Sequence, residues 1–552
     1  MSDKRWLKKY PPSVPQSINI NEYRNISEVA EEAFKKYHDR IAFSNFGQDL
    51  TYHELDEKSA QFASFLQNTL KLKKGDKIAI QMPNVLQYPI ALFGAFRAGL
   101  IVVNTNPLYT ETEMEHQFKD SGVKAIIILA QFAHHLEKIL SQTKIEHIIV
   151  TEVGDELPFF KKHLINFVLK KVKKMVPEYH LKHYSWTECL SLGANKNFIH
   201  PHLQHEDTAF LQYTGGTTGV AKGAELTHKN IIANMLQINA WMSPKLRDGE
   251  EIAITPLPLY HIFSLTVCSF GLMRYGTQNV LITNPRDFKS FIKDMQKYPF
   301  TILTGVNTLF NALANHPDIK KVDFSHVKVC VAGAMALQKA VKDKWTEVTG
   351  SYLVEGYGLT ETSPVASCNP IDGTDKVGTI GLPLPDTDFK LIDDNGKDVT
   401  WLGQPGELWI QGPQVMKGYY NRPDETEKVL KDGWLATGDI AIMDSEGFAK
   451  IVDRKKDMIL VSGFNVYPNE VEDVIAKHPK VLEIAAVGQA DEHSGEVVKV
   501  FVVKKDPTLT EKEVIDFAKK SLTNYKVPKH VEFRKELPKT PVGKVLRRAL
   551  RE

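Results

Sequence analysis

The chain has 552 residues, more than one hydrophobic core usually supports, so we expect at least two domains. Its formal net charge of +2 and charged fraction of 25% give no global field that would attract nucleic acid, and we expect no nucleic-acid partner. The four cysteines are scattered and form no CxxC pair, which argues against a disulfide scaffold or a zinc site and suits a reducing cytosol.

The N-terminal segment, MSDKRWLKKYPPSVP, contains no apolar run of signal-peptide length. The longest uncharged stretch, 252–273, is long enough to cross a bilayer but contains Pro256, Pro258 and His261. We interpret it as a buried strand, turn and helix. We therefore expect a cytoplasmic protein without a transmembrane segment.

In the N-terminal part of the chain, short apolar runs alternate with amphipathic stretches. The apolar runs predict strands at 77–82, 100–104, 125–130 and 147–152, and the amphipathic stretches predict helices at 88–99 and 111–122. Such alternation is typical of a parallel sheet covered by helices. The same alternation of strands and helices is predicted later in the chain, with strands at 327–334 and 351–358 and a helix at 337–350.

The residue pattern changes near residue 378. From there to residue 451, short strand-like runs are separated by Gly, Pro and Asp. This pattern predicts a small antiparallel barrel or sheet. The charged stretch DRKKDMIL, 453–460, predicts a linker. The last part predicts a compact α+β module, with helices at 471–479 and 510–523 and strands at 483–490 and 497–506.

The sharpest chemical signal is YTGGTTGVAKG, residues 213–223, which directly follows an apolar run. Its glycines let the backbone turn tightly and bring N–H groups close to a polyanion, its threonines add hydroxyl groups, and Lys222 adds a cation. These features predict a phosphate-binding loop, although the spacing is not that of a Walker A motif. The alternative is a glycine-rich hairpin tip.

Three further motifs are each only weak evidence for a nucleotide-binding site when taken alone. EGYGLTE, 355–361, offers Tyr357 to a purine, Thr360 to a phosphate and Glu361 to Mg²⁺. WLATGDI, 434–440, offers Asp439 to the ribose hydroxyls, and LPKTPVGKVLRR, 537–548, places Lys544 after a glycine. The alternatives are a turn with a solvated glutamate, an acidic turn beside a basic linker, and a solvated surface lysine.

In this order, YTGGTTGVAKG, GYGLTE, TGD, the arginine of DRKK and PKTPVGK resemble the core motifs of the adenylate-forming superfamily. Other segments closely resemble bacterial long-chain fatty-acid–CoA ligases, among them LPLYHIF (257–263), GVNTLFNAL (305–313) and SGFNVYPNEVE (462–472). The resemblance extends over essentially the whole chain.

The resemblance implies an α/β fold with a large N-terminal domain, 1–455, made of two α/β subdomains and a distorted β-barrel, and a small mobile α+β C-terminal domain, 456–552. It implies an enzyme that uses ATP and Mg²⁺ to convert a long-chain fatty acid to acyl-AMP and then transfers the acyl group to coenzyme A. Three alternatives stay open: a medium-chain or aryl acyl-CoA ligase, a fatty-acyl-AMP ligase, and a fatty-acid binding or trafficking protein without catalysis. Acyl chain length depends on tunnel depth, which we expect the packing of residues 260–335 to set.

The resemblance also implies functions for individual residues. The nucleotide-binding set is Thr214, Gly215, Gly216, Thr217, Thr218, Gly219, Lys222, Gly333, Ala334, Met335, Glu355, Gly356, Tyr357, Gly358, Thr360, Asp439, Arg454, Lys456 and Lys544. The expected Mg²⁺ ligands are Thr214 and Glu361, and the residues expected to act in catalysis are Thr217, Lys222, Glu361 and Lys544. The residues expected to meet the acyl group or coenzyme A are His261, Gly305, Ser462 and Gly463, and Lys456 is the expected hinge.

Two positions depart from the family pattern. Ala221 stands where the phosphate loop often has proline, which changes the stiffness of the loop but not its charge. Leu265 stands where some long-chain enzymes carry a tryptophan that gates the fatty-acid tunnel, so the sequence does not predict a gate for the tunnel at this position.

A weaker signal lies at 159–176, where apolar residues at helical spacing are combined with six lysines. This pattern predicts a basic amphipathic helix that lies on the inner face of an anionic membrane, and the alternative is a solvated face packed on the protein. His200, His202 and His205 lack partners at ligand spacing, so we do not expect a metal site there. The resemblance also implies a homodimer.

Overall fold

The computed structural model describes residues 3–194, 196–214, 221–462, 464–491, 493–540 and 543–551. Over these residues the chain forms two large and two small β-sheets with helices packed on them. The first strands in the chain are β1 (Ile41–Asn45), β2 (Gln48–Thr51), β3 (Lys77–Gln81), β4 (Ile101–Asn104), β5 (Ala125–Leu129), β6 (His147–Thr151), β7 (Tyr184–Ser185), β8 (Thr208–Thr214), β9 (Lys222–Thr227), β10 (Ile252–Thr255), β11 (Gln278–Leu281), β12 (Ile302–Gly305), β13 (Val329–Ala332), β14 (Leu353–Gly358), β15 (Val365–Cys368) and β16 (Leu382–Pro383).

The remaining strands are β17 (Asp388–Ile392), β18 (Gly406–Gln411), β19 (Gly418–Tyr419), β20 (Leu430–Lys431), β21 (Trp434–Met443), β22 (Ala449–Arg454), β23 (Ile459–Val461), β24 (Phe464–Val466), β25 (Val481–Asp491), β26 (Gly495–Lys504) and β27 (His530–Arg534). The α-helices are α1 (Ile26–Lys36), α2 (Tyr52–Asn68), α3 (Gln87–Arg97), α4 (Glu111–Ser121), α5 (Ala133–Ile139), α6 (Phe159–Phe167), α7 (Trp186–Ala194), α8 (His228–Met242), α9 (Ile262–Ser264), α10 (Phe288–Met295), α11 (Asn307–Asn315), α12 (Lys339–Thr349), α13 (Pro423–Val429), α14 (Pro468–Ile475), α15 (Glu511–Lys519) and α16 (Arg548–Arg551). Two π-helical segments, Val168–Val172 and Leu265–Gly271, continue α6 and α9.

The first large sheet has the strand order β19-β9-β8-β4-β3-β5-β6-β7. It is parallel from β8 to β7, and it contains the four strands that the sequence predicts between residues 77 and 152. All five residues of β5 are buried, as expected for a parallel strand covered on both faces. β8 and β9 are antiparallel, and this pairing places Thr214 opposite Lys222.

The second large sheet has the order β16-β15-β14-β13-β12-β10-β11-β1-β2. Its centre is parallel and its outer strands are antiparallel. The predicted strands near 327 and 351 are β13 and β14, and the predicted helix between them is α12. These predictions are confirmed.

The third sheet confirms the predicted antiparallel unit, in the order β17-β18-β21-β20 with β22 on β21. The predicted linker 453–460 is confirmed for only half of its length, because β22 runs to Arg454 and β23 begins at Ile459. Asp453 and Arg454 are charged but remain in the strand because their backbones pair with Ile440 and Asp439 of β21. Only residues 455–458 connect the two sheets.

The C-terminal module is a sheet in the order β24-β23-β26-β25, with β27 parallel to β26 and with α14 and α15 packed nearby. This confirms the α+β interpretation of the last part of the chain. In the part of the chain that the structure describes, no helix combines the length and the apolar character needed to cross a bilayer.

Candidate active site

A cavity of about 1180 Å³ lies where the two large sheets, the third sheet and the C-terminal module meet. Thr214 and Lys222 from the β8–β9 hairpin line one side of it, Tyr357 from β14 lines another, and Arg454 and Lys544 close it from the C-terminal side. Motifs separated by more than three hundred residues of sequence therefore share one space. The resemblance to the adenylate-forming superfamily implied this convergence.

Asp439 is the centre of a buried polar cluster whose other members, Tyr357 and Arg454, line the cavity. Its carboxylate accepts a hydrogen bond of 2.6 Å from the Tyr357 hydroxyl, and Nε of Arg454 lies 3.1 Å from its other oxygen. The side chain of Asp439 is 3% exposed. The cluster follows from the pairing of Asp439 with Arg454 between β21 and β22, which brings the TGD and DRKK motifs together.

A second cluster surrounds Lys222. Its Nζ lies 2.7 Å from an oxygen of Glu425 and 4.5 Å from the ring centroid of Tyr419, and the Tyr419 hydroxyl donates a 2.7 Å hydrogen bond to Glu361. Hydrogen bonds from Lys222 and Lys428 hold the pKa of Glu425 at about 2. The sequence did not predict Tyr419 or Glu425, because only the pairing of β19 with β9 brings them beside Lys222.

Thr214 and Glu361 supply a hydroxyl and a carboxylate to the wall of the same cavity. Mg²⁺ prefers oxygen ligands and commonly takes one or two from the protein and the others from water and substrate phosphates. The described residues contain no group of three or more His, Cys, Asp or Glu side chains that could hold a metal. The hydroxyl of Thr214 and the carboxylate of Glu361 fit a magnesium ion whose other ligands come from water and a nucleotide.

Lys544 reaches the cavity from a loop of the C-terminal module that docks on α11. The Thr308 hydroxyl of α11 donates to the backbone oxygen of Gly543 at 3.3 Å, and the Lys544 N–H donates to the Thr540 hydroxyl at 3.1 Å. Burial, together with the neighbouring Arg454 charge, lowers the pKa of Lys544 to about 8. Lys456 lines the cavity beside it.

Arg547, three residues after Lys544, anchors the same segment. Its Nη2 lies 2.9 Å from Glu472 and 2.7 Å from the Asn469 side-chain oxygen, and its Nη1 lies 3.6 Å from Asp453. These partners could not be predicted from the sequence, because they come from α14 and the end of β22. The buried ion cluster fixes the chain that leads out of the Lys544 loop.

His261 lines the cavity at the junction between its polar and apolar parts. Its Nδ1 accepts the Phe263 N–H at 3.4 Å, a weak contact that caps the short helix α9. Burial and the nearby Lys544 charge lower the pKa of His261 to about 4, so the ring is neutral at physiological pH.

The apolar part of the cavity is lined by buried side chains from α8, the π-helical segment after α9, β13, β15 and the segment after β16. These side chains are Ile238, Trp241, Met242, Val267, Val331, Cys368 and Leu384. Residues 260–335 contribute further apolar groups to the wall, Ile262 and Phe263 among them, and that this segment sets the depth stays a prediction. Leu265 is buried and is not among the lining residues.

Several residues of the predicted set line the cavity, namely Gly333, Ala334, Gly356, Gly358 and Thr360. Five predicted residues do not line it: Met335, Glu355, Gly305, Asp439 and Ser462. Asp439 is buried against Tyr357 and Arg454, which do line it. Glu355 is 8% exposed and lies outside the wall, whereas the next two residues of β14, Gly356 and Tyr357, both line it. Burial raises the pKa of Glu355 to about 8.

Ser462 is exposed on the C-terminal module, where its N–H donates to the Ser494 oxygen at 2.7 Å. Six predicted residues lie outside the described part of the chain: Gly215, Gly216, Thr217, Thr218, Gly219 and Gly463. Their assignments to phosphate, catalysis and coenzyme A stay predictions.

Comparisons with known proteins extend over the full chain. A family model described as AMP-binding enzyme matches residues 30–420, and one described as AMP-binding enzyme C-terminal domain matches residues 470–544. The chain is 54% identical over 550 residues to a long-chain-fatty-acid–CoA ligase of Escherichia coli O157:H7, covering 100% of this chain and 98% of that protein. It is 55% identical over 551 residues to one of Yersinia pestis, with the same coverage, and 39% identical over 553 residues to one of Bacillus subtilis strain 168, again covering 100% and 98%.

Solved structures share the fold. A crystal structure of the anthranilate CoA ligase AuaEII in complex with anthranoyl-AMP has a TM-score of 0.86 at 24% identity, covering 97% of this chain and 98% of that chain. ATP-bound MatB from Rhodopseudomonas palustris has a TM-score of 0.83 at 26% identity, covering 96% and 98%.

Proposed function

The chain belongs to the AMP-binding enzymes and, among them, to the long-chain-fatty-acid–CoA ligases, and we infer from this membership that it makes acyl-CoA from a long-chain fatty acid. The reaction uses ATP, Mg²⁺ and coenzyme A and releases AMP and pyrophosphate. The observation that carries this conclusion is 54% identity over the whole length to a curated ligase. A single cavity with a polar end and an apolar branch supports it.

In the first half-reaction, a carboxylate oxygen of the acid attacks the α-phosphorus of ATP, and the bond from that phosphorus to the pyrophosphate oxygen breaks. Negative charge builds on the phosphoryl oxygens as the new bond forms. We propose that Lys544 stabilises this negative charge, because its amine enters the cavity and is protonated at neutral pH. Mg²⁺, held through Glu361 and Thr214, would supply further neutralisation of the phosphates.

The buried polar cluster is our proposed ribose site. Asp439 is an ionised acceptor whose position is fixed by Tyr357 and Arg454, and a carboxylate can accept hydrogen bonds from both ribose hydroxyls. Lys222 lies on the hairpin that flanks the predicted phosphate loop, and we assign it to the β- and γ-phosphates. ATP must then compete with Glu425 for this lysine.

In the second half-reaction, the thiol sulfur of coenzyme A attacks the acyl carbon, the bond from that carbon to the phosphate oxygen breaks, and AMP leaves. The fatty-acyl chain would occupy the apolar branch, where burial of methylene groups favours a hydrocarbon. The exposed loop at Ser462 lies outside the cavity. Rotation of the C-terminal domain about Lys456, with a boundary after residue 455, stays our prediction for how that loop meets coenzyme A.

The deciding experiment is a panel of fatty and aromatic acids assayed for both pyrophosphate release and thioester formation. We expect both products with long-chain acids and ATP, Mg²⁺ and coenzyme A. Pyrophosphate without thioester would instead indicate a fatty-acyl-AMP ligase, and a preference for short or aromatic acids would indicate another acyl-CoA ligase. Release of no pyrophosphate with any acid would contradict the proposal.

We also propose that residues 159–176 contact an anionic membrane surface. The segment exposes Phe159, Phe160, Leu164, Phe167 and Val172, each more than half exposed, beside six lysines. Next to it, Phe46 at the β1–β2 turn is 45% exposed, and Lys161 approaches Gly47. A protein-packed face would bury these apolar side chains, whereas a lipid interface accepts both the apolar and the basic groups.

Vesicle co-sedimentation at low salt tests this surface. Replacing Lys170, Lys171, Lys173 and Lys174 with glutamate is expected to reduce binding to anionic vesicles and to leave acyl-CoA synthesis from detergent-dispersed acid intact. A matched control replaces Lys320 and Lys321, exposed lysines of another segment, with glutamate. Equal binding by both variants would refute the membrane surface.

The homodimer implied by the resemblance stays a prediction, which light scattering tests.

A further inference from the structure

The apolar branch of the cavity can be followed from the nucleotide end by successive contacts. Tyr357 belongs to the ribose cluster, and Gly356 precedes it on β14 and faces the opposite side of that strand. A Cβ placed on Gly356 would lie 3.6 Å from Val331 and 3.7 Å from the Cys368 sulfur. The absent side chain leaves a passage between Val331 and Cys368.

The passage leads to Trp241 on α8. Its indole N–H donates a 3.1 Å hydrogen bond to the backbone oxygen of Asn369, next to Cys368. Trp241 lines the cavity but is only 1% exposed. The indole is therefore tied by its one polar atom to the residue that follows β15, and it forms part of the cavity wall there.

Behind Trp241 lies the N-terminal segment. The Tyr10 ring meets the indole edge to face at a centroid distance of 5.1 Å, and its hydroxyl donates a 2.5 Å hydrogen bond to the Pro383 oxygen. Pro383 precedes Leu384, another residue of the cavity wall. Tyr10 is itself only half-buried, so the wall at this point is two side chains thick.

The N-terminal segment is fixed firmly enough to serve as a wall. Trp6 is 1% exposed and stacks on Trp401 at 5.8 Å, and a Cβ on Gly447 would lie 2.6 Å from the Trp6 side chain. The close approach of Gly447 requires glycine. Tyr10 is thus attached at both ends, through Trp6 and through Pro383.

We propose that Trp241 is the closed end of the acyl site and sets the longest fatty acid that the enzyme accepts, and that Tyr10 positions the indole from outside. This inference rests on the proposed function, because it assumes that the apolar branch holds the acyl chain. A chain that extends beyond the indole must displace it, which breaks the hydrogen bond to Asn369 and the contact with Tyr10. Chain length is then selected by a steric stop at Trp241.

The test compares kcat/KM over a series of saturated acids of increasing even chain length for the wild type and for Trp241→Ala. The variant is expected to accept longer acids. We define the chain-length ratio as kcat/KM for an acid just beyond the wild-type limit divided by kcat/KM for the best wild-type acid. This ratio is expected to rise by at least about tenfold, which is the discrimination that a methylene or two can produce in an apolar pocket. Trp241→Phe and Leu384→Ala are expected to shift the limit less. Tyr10→Ala is expected to shift it in the same direction, and Tyr10→Phe, which keeps the ring, is expected to restore most of the wild-type ratio.

Trp345→Ala is the matched control, since Trp345 is equally buried but packs on Phe310 and Phe324, away from the cavity. It is expected to lose stability without any change in the chain-length ratio. An unchanged ratio in Trp241→Ala and Trp241→Phe, with pyrophosphate and thioester still produced, would overturn the inference and leave the proposed function intact. A wild-type protein that activates no fatty acid would overturn both.

Discussion

Replacing Lys544 with alanine removes the positive charge that the C-terminal module brings to the cavity. In the structure the ammonium group lies beside the Asp439–Arg454 cluster, and with a pKa of about 8 roughly nine in ten Lys544 side chains are protonated at pH 7. Loss of one group that stabilises transition-state charge typically costs about two to three orders of magnitude in rate. We therefore expect Lys544→Ala to slow adenylation by about 100- to 1000-fold.

The assay is exchange of labelled pyrophosphate into ATP in the presence of a long-chain acid, which reports adenylation without coenzyme A. Nucleotide binding, measured by calorimetry, is expected to change little, and conversion of supplied acyl-AMP to thioester is expected to fall much less than exchange. The same charge predicts a pH effect. Wild-type exchange should decline as pH rises through about 8, because Lys544 then loses its proton, and this decline should be absent in the residual activity of Lys544→Ala. Full exchange in the variant, or equal losses in both half-reactions, would refute the assignment.

Three further substitutions test the remaining clusters. Asp439→Asn removes an ionised acceptor, so KM for ATP is expected to rise about 10- to 100-fold in steady-state kinetics, and unchanged KM would contradict the ribose site. Glu425→Gln frees Lys222 from its ion pair, so KM for ATP is expected to fall severalfold, and an increase would show that Glu425 does not compete with phosphate. Arg547→Ala leaves buried carboxylates unpaired, so the unfolding free energy is expected to drop by about 3 kcal/mol in denaturant titration. Pyrophosphate exchange is also expected to slow. Unaltered stability would show that the Arg547 ion cluster is dispensable.

The parallel sheets could be predicted from the sequence because their strands are buried on both faces and read as continuous apolar runs. AIIIL of β5 is an example, and the preceding helix α4 has the helical period, with Met114, Gln117, Phe118 and Ser121 buried on one face. The charged stretch DRKKDMIL was predicted only in part, because residues 455–458 connect the two sheets but Asp453 and Arg454 belong to β22. Their pairing with β21 is a long-range contact that no local pattern shows.

The site was predictable in part because the order of the motifs is fixed along the chain. The sequence could not show Tyr419, Glu425 or Arg547, since each acquires its partner through strand pairing or module docking. Glu355 is buried outside the cavity wall, although the sequence grouped it with Gly356 and Tyr357, because burial depends on how the sheet is covered.

The amino-acid sequence by itself determined the elements, the motif order and the chemical types needed for adenylation, because these depend on local periodicity and on residue identity. Tertiary structure alone decided which groups meet. Lys222 faces Glu425, Asp439 is fixed by Tyr357 and Arg454, and Trp241 ends the apolar branch in front of Tyr10, more than two hundred residues away in sequence. Such contacts depend on how sheets and modules pack, and packing is a property of the whole chain.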